Sequence, residues 1–474
     1  MKLYSVILIA ITLFISCENA AHKEGEYVYF GGEIINPSNN YVTLNNRFTG
    51  TDTIYLDENN RFLHKISDIK PGLYSFTHGG EFQMIVLEEN DSLLFRLNTN
   101  DFDESLVFTG QGSKKNNYLI KSFLKDEEEN KKFMKLHQLE PEAFITHMDE
   151  LKERKIKYLD EFLEKIPSSK IFTNIAKSSI DYNHYAYHEM YPFGYYGNNK
   201  LVHVKDLPED FYDYRADIDL DNENLSELYI YNRFLFWHFN NIALKKYYDN
   251  GSHHAFDRMS LDYNIEKLRL IDSSLTSEPI KNYLSKHVTR DFILNSDNQE
   301  ASVDILDYYL EKSTNTEDKS YLKTLYLASS KLKPGNKIPD TKLIDFDGNT
   351  LTLSSLIDKP TVVYCWSSNF KMHYRNSHYM IKNLKSQYPD VNFLAINFND
   401  NKMEYWKNTV KVINYPKDNE YKFKDPSEAI EKYVITFTHK VFIVNKKGEI
   451  ISSDANLFGE KMKRDLHNLV STSY

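Results

Sequence analysis

Cysteine is nearly absent. The 474 residues hold two, Cys17 and Cys365, so at most one disulfide could form. Glycine is sparse as well, 16 in all, too few for a chain built wholly of tight hairpins. The chain has no basic patch or stripe, and its net charge is −10. That argues against nucleic acid as a partner, because phosphate binding needs clustered Lys and Arg. No G-x-S-x-G, P-loop or dinucleotide motif occurs, and no cofactor is expected. What is abundant is aromatic: 35 Tyr and 29 Phe, rings that cover sheets and grooves or fill cores.

Met1-Lys2 is a short basic start, and Leu3 to Ile15 is apolar apart from Tyr4, Ser5 and Thr12. That run is too short for a bilayer, which needs about 20 residues, and has the length of a signal-peptide core. It ends Leu13-Phe14-Ile15-Ser16-Cys17, with polar Glu18 and Asn19 after it. This junction resembles the lipobox of bacterial lipoproteins, with Phe14 where Leu is commoner. The resemblance implies a signal peptide over 1–16, diacylglycerol on Cys17, a tether over 17–23, and a bacterial envelope protein held on a membrane, facing the periplasm or the outside. With Cys17 acylated, Cys365 is the one thiol left and no internal disulfide can form.

Residues 24–112 read as short strands. Tyr27–Phe30, Tyr41–Leu44, Thr53–Leu56, Leu73–Phe76, Met84–Leu87 and Leu93–Leu97 are β-branched or aromatic runs separated by Asn, Gly and Pro, the pattern of a small antiparallel sandwich. Ile69-Lys-Pro-Gly-Leu-Tyr74 and Phe108-Thr-Gly-Gln-Gly112 resemble the β-domain that often precedes thioredoxin domains in envelope lipoproteins. Residues 113–332 turn to helical period, with Phe144, Met148, Leu151, Tyr158, Leu159, Phe162 and Leu163 at spacings of three and four. Residues 333–474 alternate strand and helix. Thr361–Cys365 and Asn392–Asn397 are nearly continuous apolar runs, as in strands buried on both faces. Met380, Leu384 and Tyr388 mark a helix between them. Lys440–Val444, Lys446–Gly448 and Glu449–Ile451 predict a hairpin. The expected whole is multidomain α+β: β-sandwich, helical middle, C-terminal α/β.

The last third resembles the TlpA-type thioredoxins of the bacterial envelope. Lys333–Asp340 looks like that family's first strand, Asp347-Gly348 and Leu351–Leu356 like the next turn and helix. Lys359–Ser368 looks like the strand that runs into the active site. Tyr433–Gly448 looks like the stretch that holds the cis-proline loop and an Asp-x-x-Gly turn, here Asn445-Lys-Lys-Gly448. The chemistry departs from the family. Aligned without gaps, Cys365 falls on the Phe of Phe-Trp-Ala-x-Trp, Trp366 on its first Trp and Asn369 on the second. The two redox cysteines fall on Phe370 and His373, and the cis-proline on His439, after Thr438. The acidic or amide position in the strand falls on Tyr364. Exchange needs a thiolate at the helix start and a second thiol to resolve the mixed disulfide, and neither Phe370 nor His373 supplies one.

No catalytic residue and no metal ligand is therefore assigned. The expected role is binding or scaffolding by a redox-inactive module, with a protein or peptide partner taken as an added strand. The rival is a thioredoxin-family oxidoreductase or peroxidase working through Cys365 or a histidine site. Cys365, inside a buried strand, is expected to behave as a small core hydrophobe. Histidine pairs at His184 and His188, and at His253 and His254, read as packed or solvated. His373 and His439 are expected to meet at the carboxyl ends of the strands.

Overall fold

A computed structural model describes residues 27–46, 50–194, 207–249, 256–399, 403–436 and 439–471. Cys17, the signal peptide and tether, His253, His254 and Thr438, with its peptide bond to His439, lie outside the described residues. Among the described residues no helix is long and apolar enough to cross a membrane.

Strands β1 (Tyr27–Ile35), β2 (Tyr41–Asn46), β3 (Gly50–Tyr55), β4 (Arg61–Ser67), β5 (Gly72–His78), β6 (Glu81–Leu87), β7 (Ser92–Asn98) and β8 (Val107–Thr109) form two four-stranded sheets. Their orders are β4-β1-β7-β8 and β3-β2-β5-β6. Pairing is antiparallel except β1 with β7. Alternation places one residue in two on a shared core, where Phe30, Phe62, Phe76 and Phe95 meet ring to ring. Helices follow: α1 (Ser113–Asn130), α2 (Pro141–Lys165), α3 (Lys170–Gly194), α4 (Tyr229–Asp249), α5 (Leu261–Ser274), α6 (Glu278–Asn295), α7 (Gln299–Lys312) and α8 (Thr316–Lys331). The starts of α7 and α8 are sealed by asparagine: the amide of Ala301 donates to Asn298 Oδ1 and that of Asp318 to Asn315 Oδ1, satisfying donors that a helix start otherwise leaves open.

The C-terminal region comprises β9 (Lys342–Ile344), β10 (Thr350–Thr352), β11 (Thr361–Trp366), α9 (Lys371–Gln387), β12 (Asn392–Asn397), α10 (Met403–Ile413), β13 (Glu420–Phe423), α11 (Pro426–Lys432), β14 (His439–Val444), β15 (Ile450–Ser452) and α12 (Glu460–Ser471). They build one sheet in the order β10-β9-β13-β12-β11-β14-β15. The three strands β13, β12 and β11 are parallel, and β14 and β15 return antiparallel. The first strand falls on β9, not on Lys333–Asp340, where a single bridge joins Lys337 to Glu449. Of the helix expected at Leu351–Leu356, one 3₁₀ turn at Ser354–Leu356 forms.

The chain divides into two compact units. One holds the sandwich, α1 and Lys157–Lys177; the other holds Lys132–Ile156 and everything described from Ser178 onward. Within the second unit, one apolar cluster joins Ile293, Leu306, Tyr309 and Leu322 of α6–α8 to Leu343, Val363, Cys365 and Phe442 of the sheet. The opposite sheet face packs Val362, Tyr364 and Trp366 under Trp406, Ile381 and Leu466. Every residue of β11 is buried as a result.

Candidate functional site

β11 and its neighbours set the site. In its register, Trp366 stands across from His439, and Cys365 across from Lys440. Alternate side chains point to opposite faces, so Cys365 enters the core shared with the helices and Trp366 the other one. Cys365 is 1% exposed. Burial pushes its thiol up to about 12, with Lys440 pulling the other way. A protonated, enclosed thiol is neither nucleophile nor metal ligand.

Past Trp366 the chain crosses Ser367, Ser368 and Asn369 to Phe370, which precedes the first residue of α9. This crossing is fastened by groups from the neighbouring parallel strands. Asn397 Nδ2 donates to Ser368 Oγ (2.9 Å), Asn399 Nδ2 donates to Ser367 Oγ (3.0 Å), and the Ser368 amide donates to Asn399 Oδ1 (2.5 Å). Lys422 Nζ, on β13, donates to the Asn399 carbonyl. Sequence reasoning missed this polar clasp. Its signal was available: two apolar runs each end in a polar cluster, Ser367–Asn369 and Asn397–Asn399, at the carboxyl ends of adjacent parallel strands, where open α/β sheets gather their ligand-binding groups.

Phe370 is half-buried, and Met372 beside it is 70% exposed. His373 lies in the first turn of α9, and its ring stacks on that of His439, with centroids 4.4 Å apart and planes at 19°. Phe458 meets His373 edge-on at 6.5 Å. The expected meeting of the two histidines is thus found. Loss of solvent pushes His373 down to about 4, with His439 and His378 adding to the effect. Burial also lowers His439, while Asp454 pulls it back. Both imidazoles are neutral at pH 7. Neither ring nitrogen of His373 has a hydrogen-bond partner among the described residues. The nearby carboxylate, Asp454, is paired with Lys440 at 3.6 Å, and no group of three His, Cys, Asp or Glu suited to a metal exists among the described residues. The arrangement can stack a planar group or donate and accept hydrogen bonds. It carries no thiol.

His184 and His188 share a face of α3 as their spacing implies, their rings 4.4 Å apart. Both are buried. His188 Nδ1 is spent on the His184 carbonyl at 3.0 Å.

The loop that returns to the site begins where α11 ends. Val434 sits there at φ 52°. The amide of Ile435 donates to the Ile430 carbonyl, and that of Val434 to the Glu431 carbonyl. This is a Schellman ending, with valine where glycine is usual.

No family model matches the chain, and no curated protein matches it. Among solved structures, the thioredoxin domain of a thiol-disulfide oxidoreductase from Bacteroides vulgatus is similar over 30% of this chain and 98% of that one, at 20% identity and a TM-score of 0.25. A thiol-disulfide oxidoreductase from Bacteroides fragilis is similar over 28% of this chain and 99% of that one, at 19% identity and a TM-score of 0.26. A thiol:disulfide interchange protein from Bacteroides sp. is similar over 30% of this chain and 90% of that one, at 21% identity and a TM-score of 0.25. At such scores these likenesses carry no argument of their own. The thioredoxin-like arrangement of the C-terminal sheet stands on its strand order and register: a parallel βαβ core at β11-α9-β12 with an antiparallel hairpin, β14 and β15, on its far side.

Proposed function

We propose that this chain is a lipid-anchored envelope protein whose C-terminal thioredoxin-like module binds a protein or peptide partner and transfers no electrons. The observation that carries the reading is the state of Cys365, 1% exposed with its thiol pushed up to about 12, while Phe370 and His373 stand where thiol exchange needs cysteines. The partner surface in this reading is the end of the sheet that bears Phe370, Met372, the stacked histidines and Phe458. An extended segment is the fitting occupant, held by main-chain hydrogen bonds with Phe370 as an apolar anchor. The residues before and within the helical stretch would carry or dock this module on the membrane, through lipid on Cys17.

The test of the redox half is insulin reduction by dithiothreitol. No acceleration over the uncatalysed reaction is expected, and native protein should react slowly with a maleimide until denatured. Turnover that disappears in Cys365→Ser would overturn the reading. The anchor is tested separately: wild type should enter the detergent phase, and Cys17→Ala should stay as unprocessed precursor. A wild-type protein that is water-soluble with a free N-terminus would sink the anchor and leave the redox result standing.

A further inference from the structure

The two outer faces of the sandwich differ in a way that a merely solvated surface does not require. On the sheet β4-β1-β7-β8 the outward positions mix charge with apolar side chains: Arg61 bonds Glu33 at 3.0 Å, Lys65 lies 3.5 Å over the Tyr27 ring, Arg96 is exposed, and Leu63, Leu94 and Val107 are exposed on the same face. On the sheet β3-β2-β5-β6 they are neutral. Register places Thr53, Thr43, Thr77 and Phe82 in one row. Thr51, Asn45, Ser75 and Met84 form the next row, and Tyr55 faces Tyr41 above them. Tyr55 is 67% exposed, Phe82 51% and Tyr41 38%, with the Tyr41 and Tyr55 rings 6.4 Å apart, edge to face.

The middle of this face is therefore hydroxyl and amide, and its rims are aromatic. In a chain with 27% charged residues, three consecutive outward rows without Lys, Arg, Asp or Glu are a selective feature. Each hydroxyl is both donor and acceptor. Each ring offers a flat apolar surface that holds its shape at low entropic cost. The rims stand three strand spacings apart, about 14 Å. A docking protein would be matched by aliphatic side chains at the centre, and an ionised ligand by opposite charge. Neither is present. A ligand that is uncharged, dense in hydroxyls and flat-faced on its C–H side satisfies the surface, which is the chemistry of a neutral saccharide chain.

We infer that the outer face of β3-β2-β5-β6 is a binding platform for a neutral polysaccharide, stacked on Tyr55, Tyr41 and Phe82 and hydrogen-bonded along the threonine rows. The site is independent of the C-terminal module. The experiment is native affinity electrophoresis of the full chain in gels containing xylan, mannan, hydroxyethylcellulose or dextran, with polygalacturonate as the acidic control. Retardation in at least one neutral gel is expected, persisting in high salt because no ion pair carries it. Tyr55→Ala and Phe82→Ala should each weaken it about tenfold. Thr53→Lys should abolish it, and Tyr29→Ala on the opposite face should leave it unchanged. All four side chains are largely outside the core, so an unchanged thermal transition verifies folding. Absence of retardation in every neutral gel, retardation confined to polygalacturonate and removed by salt, or equal loss in Tyr29→Ala would each overturn the proposal.

Discussion

Two glutamates in the second compact unit are fully buried, each against a histidine, and their acidities move in opposite directions. Glu189 on α3 receives His238 Nδ1 at 2.8 Å and Arg215 Nε at 2.9 Å on one oxygen, and Arg215 Nη2 on the other. Burial pushes its carboxyl up, but the bonds and charge of His238 and Arg215 outweigh it and hold it below the ordinary range. Glu420 on β13 meets His378 Nε2 at 2.9 Å. Burial again pushes up, and here it prevails over His378. The indole N–H groups of Trp366 and Trp406 approach Glu420 without reaching hydrogen-bond geometry, and its second oxygen accepts no hydrogen bond among the described residues. Because His378 Nδ1 must donate to the Tyr374 carbonyl, at 2.6 Å, the His378–Glu420 contact holds a single proton. The pair is either imidazolium and carboxylate or imidazole and carboxylic acid. The contrast teaches that burial raises a carboxyl unless a permanent, forked cation meets it.

Removing that fork is the severest way to break the comparison. Arg215→Leu leaves a buried carboxylate with one partner and is expected to cost about 3–5 kcal/mol, read from the urea midpoint. Arg215→Lys should recover only part, because an ammonium cannot reproduce a bidentate contact. Full recovery by lysine would show that charge alone holds Glu189. Amide replacement sharpens the same contrast. Glu189→Gln strands the guanidinium and should cost about 3 kcal/mol, whereas Glu420→Gln, which leaves no guanidinium behind, should cost about 1 kcal/mol. Equal costs at the two positions would dissolve the distinction.

The third case is a buried histidine, His137, pushed by burial from 6.5 down to about 3, with a Tyr187 backbone contact opposing. In the unfolded chain its imidazole takes a proton below about 6.5, and in the folded chain only near 3. The unfolded state binds more protons across that window. Stability present above pH 6.5 is therefore lost progressively as pH falls toward 3. His137→Phe should remove about 3 kcal/mol of the loss at pH 4, measured by urea titrations at several pH values. An unchanged slope would place the acid sensitivity elsewhere.

Much of the C-terminal sheet was legible because its central strands are unbroken apolar runs. Asn392–Asn397 is strand β12 residue for residue, and Thr361–Cys365 is β11 short of Trp366. The meeting of His373 and His439 was legible through the resemblance, since in the thioredoxin pattern the loop before the adjacent strand faces the helix start. β13 was not. Glu420-Tyr-Lys-Phe reads as a surface segment, yet Glu420 and Lys422 are both buried. Only partners distant in sequence, His378 and the Asn399 carbonyl, make that burial tolerable. β4 escaped for the opposite reason: it lies at an edge with Phe62 as its one buried side chain. Glu189 carried no local signal either, because Arg215 reaches it from a 3₁₀ turn 26 residues away.

Valine at position 434 bears on how the C-terminal module moves. A β-branched residue in the left-handed region costs about 1–2 kcal/mol relative to ordinary backbone, and here it is kept by enclosure of the side chain in the core that also holds Cys365. Any fluctuation that frays the last turn of α11 gives that strain back at once. The last turn of α11 therefore opens locally at a free energy lower, by the same amount, than its enclosure alone would set.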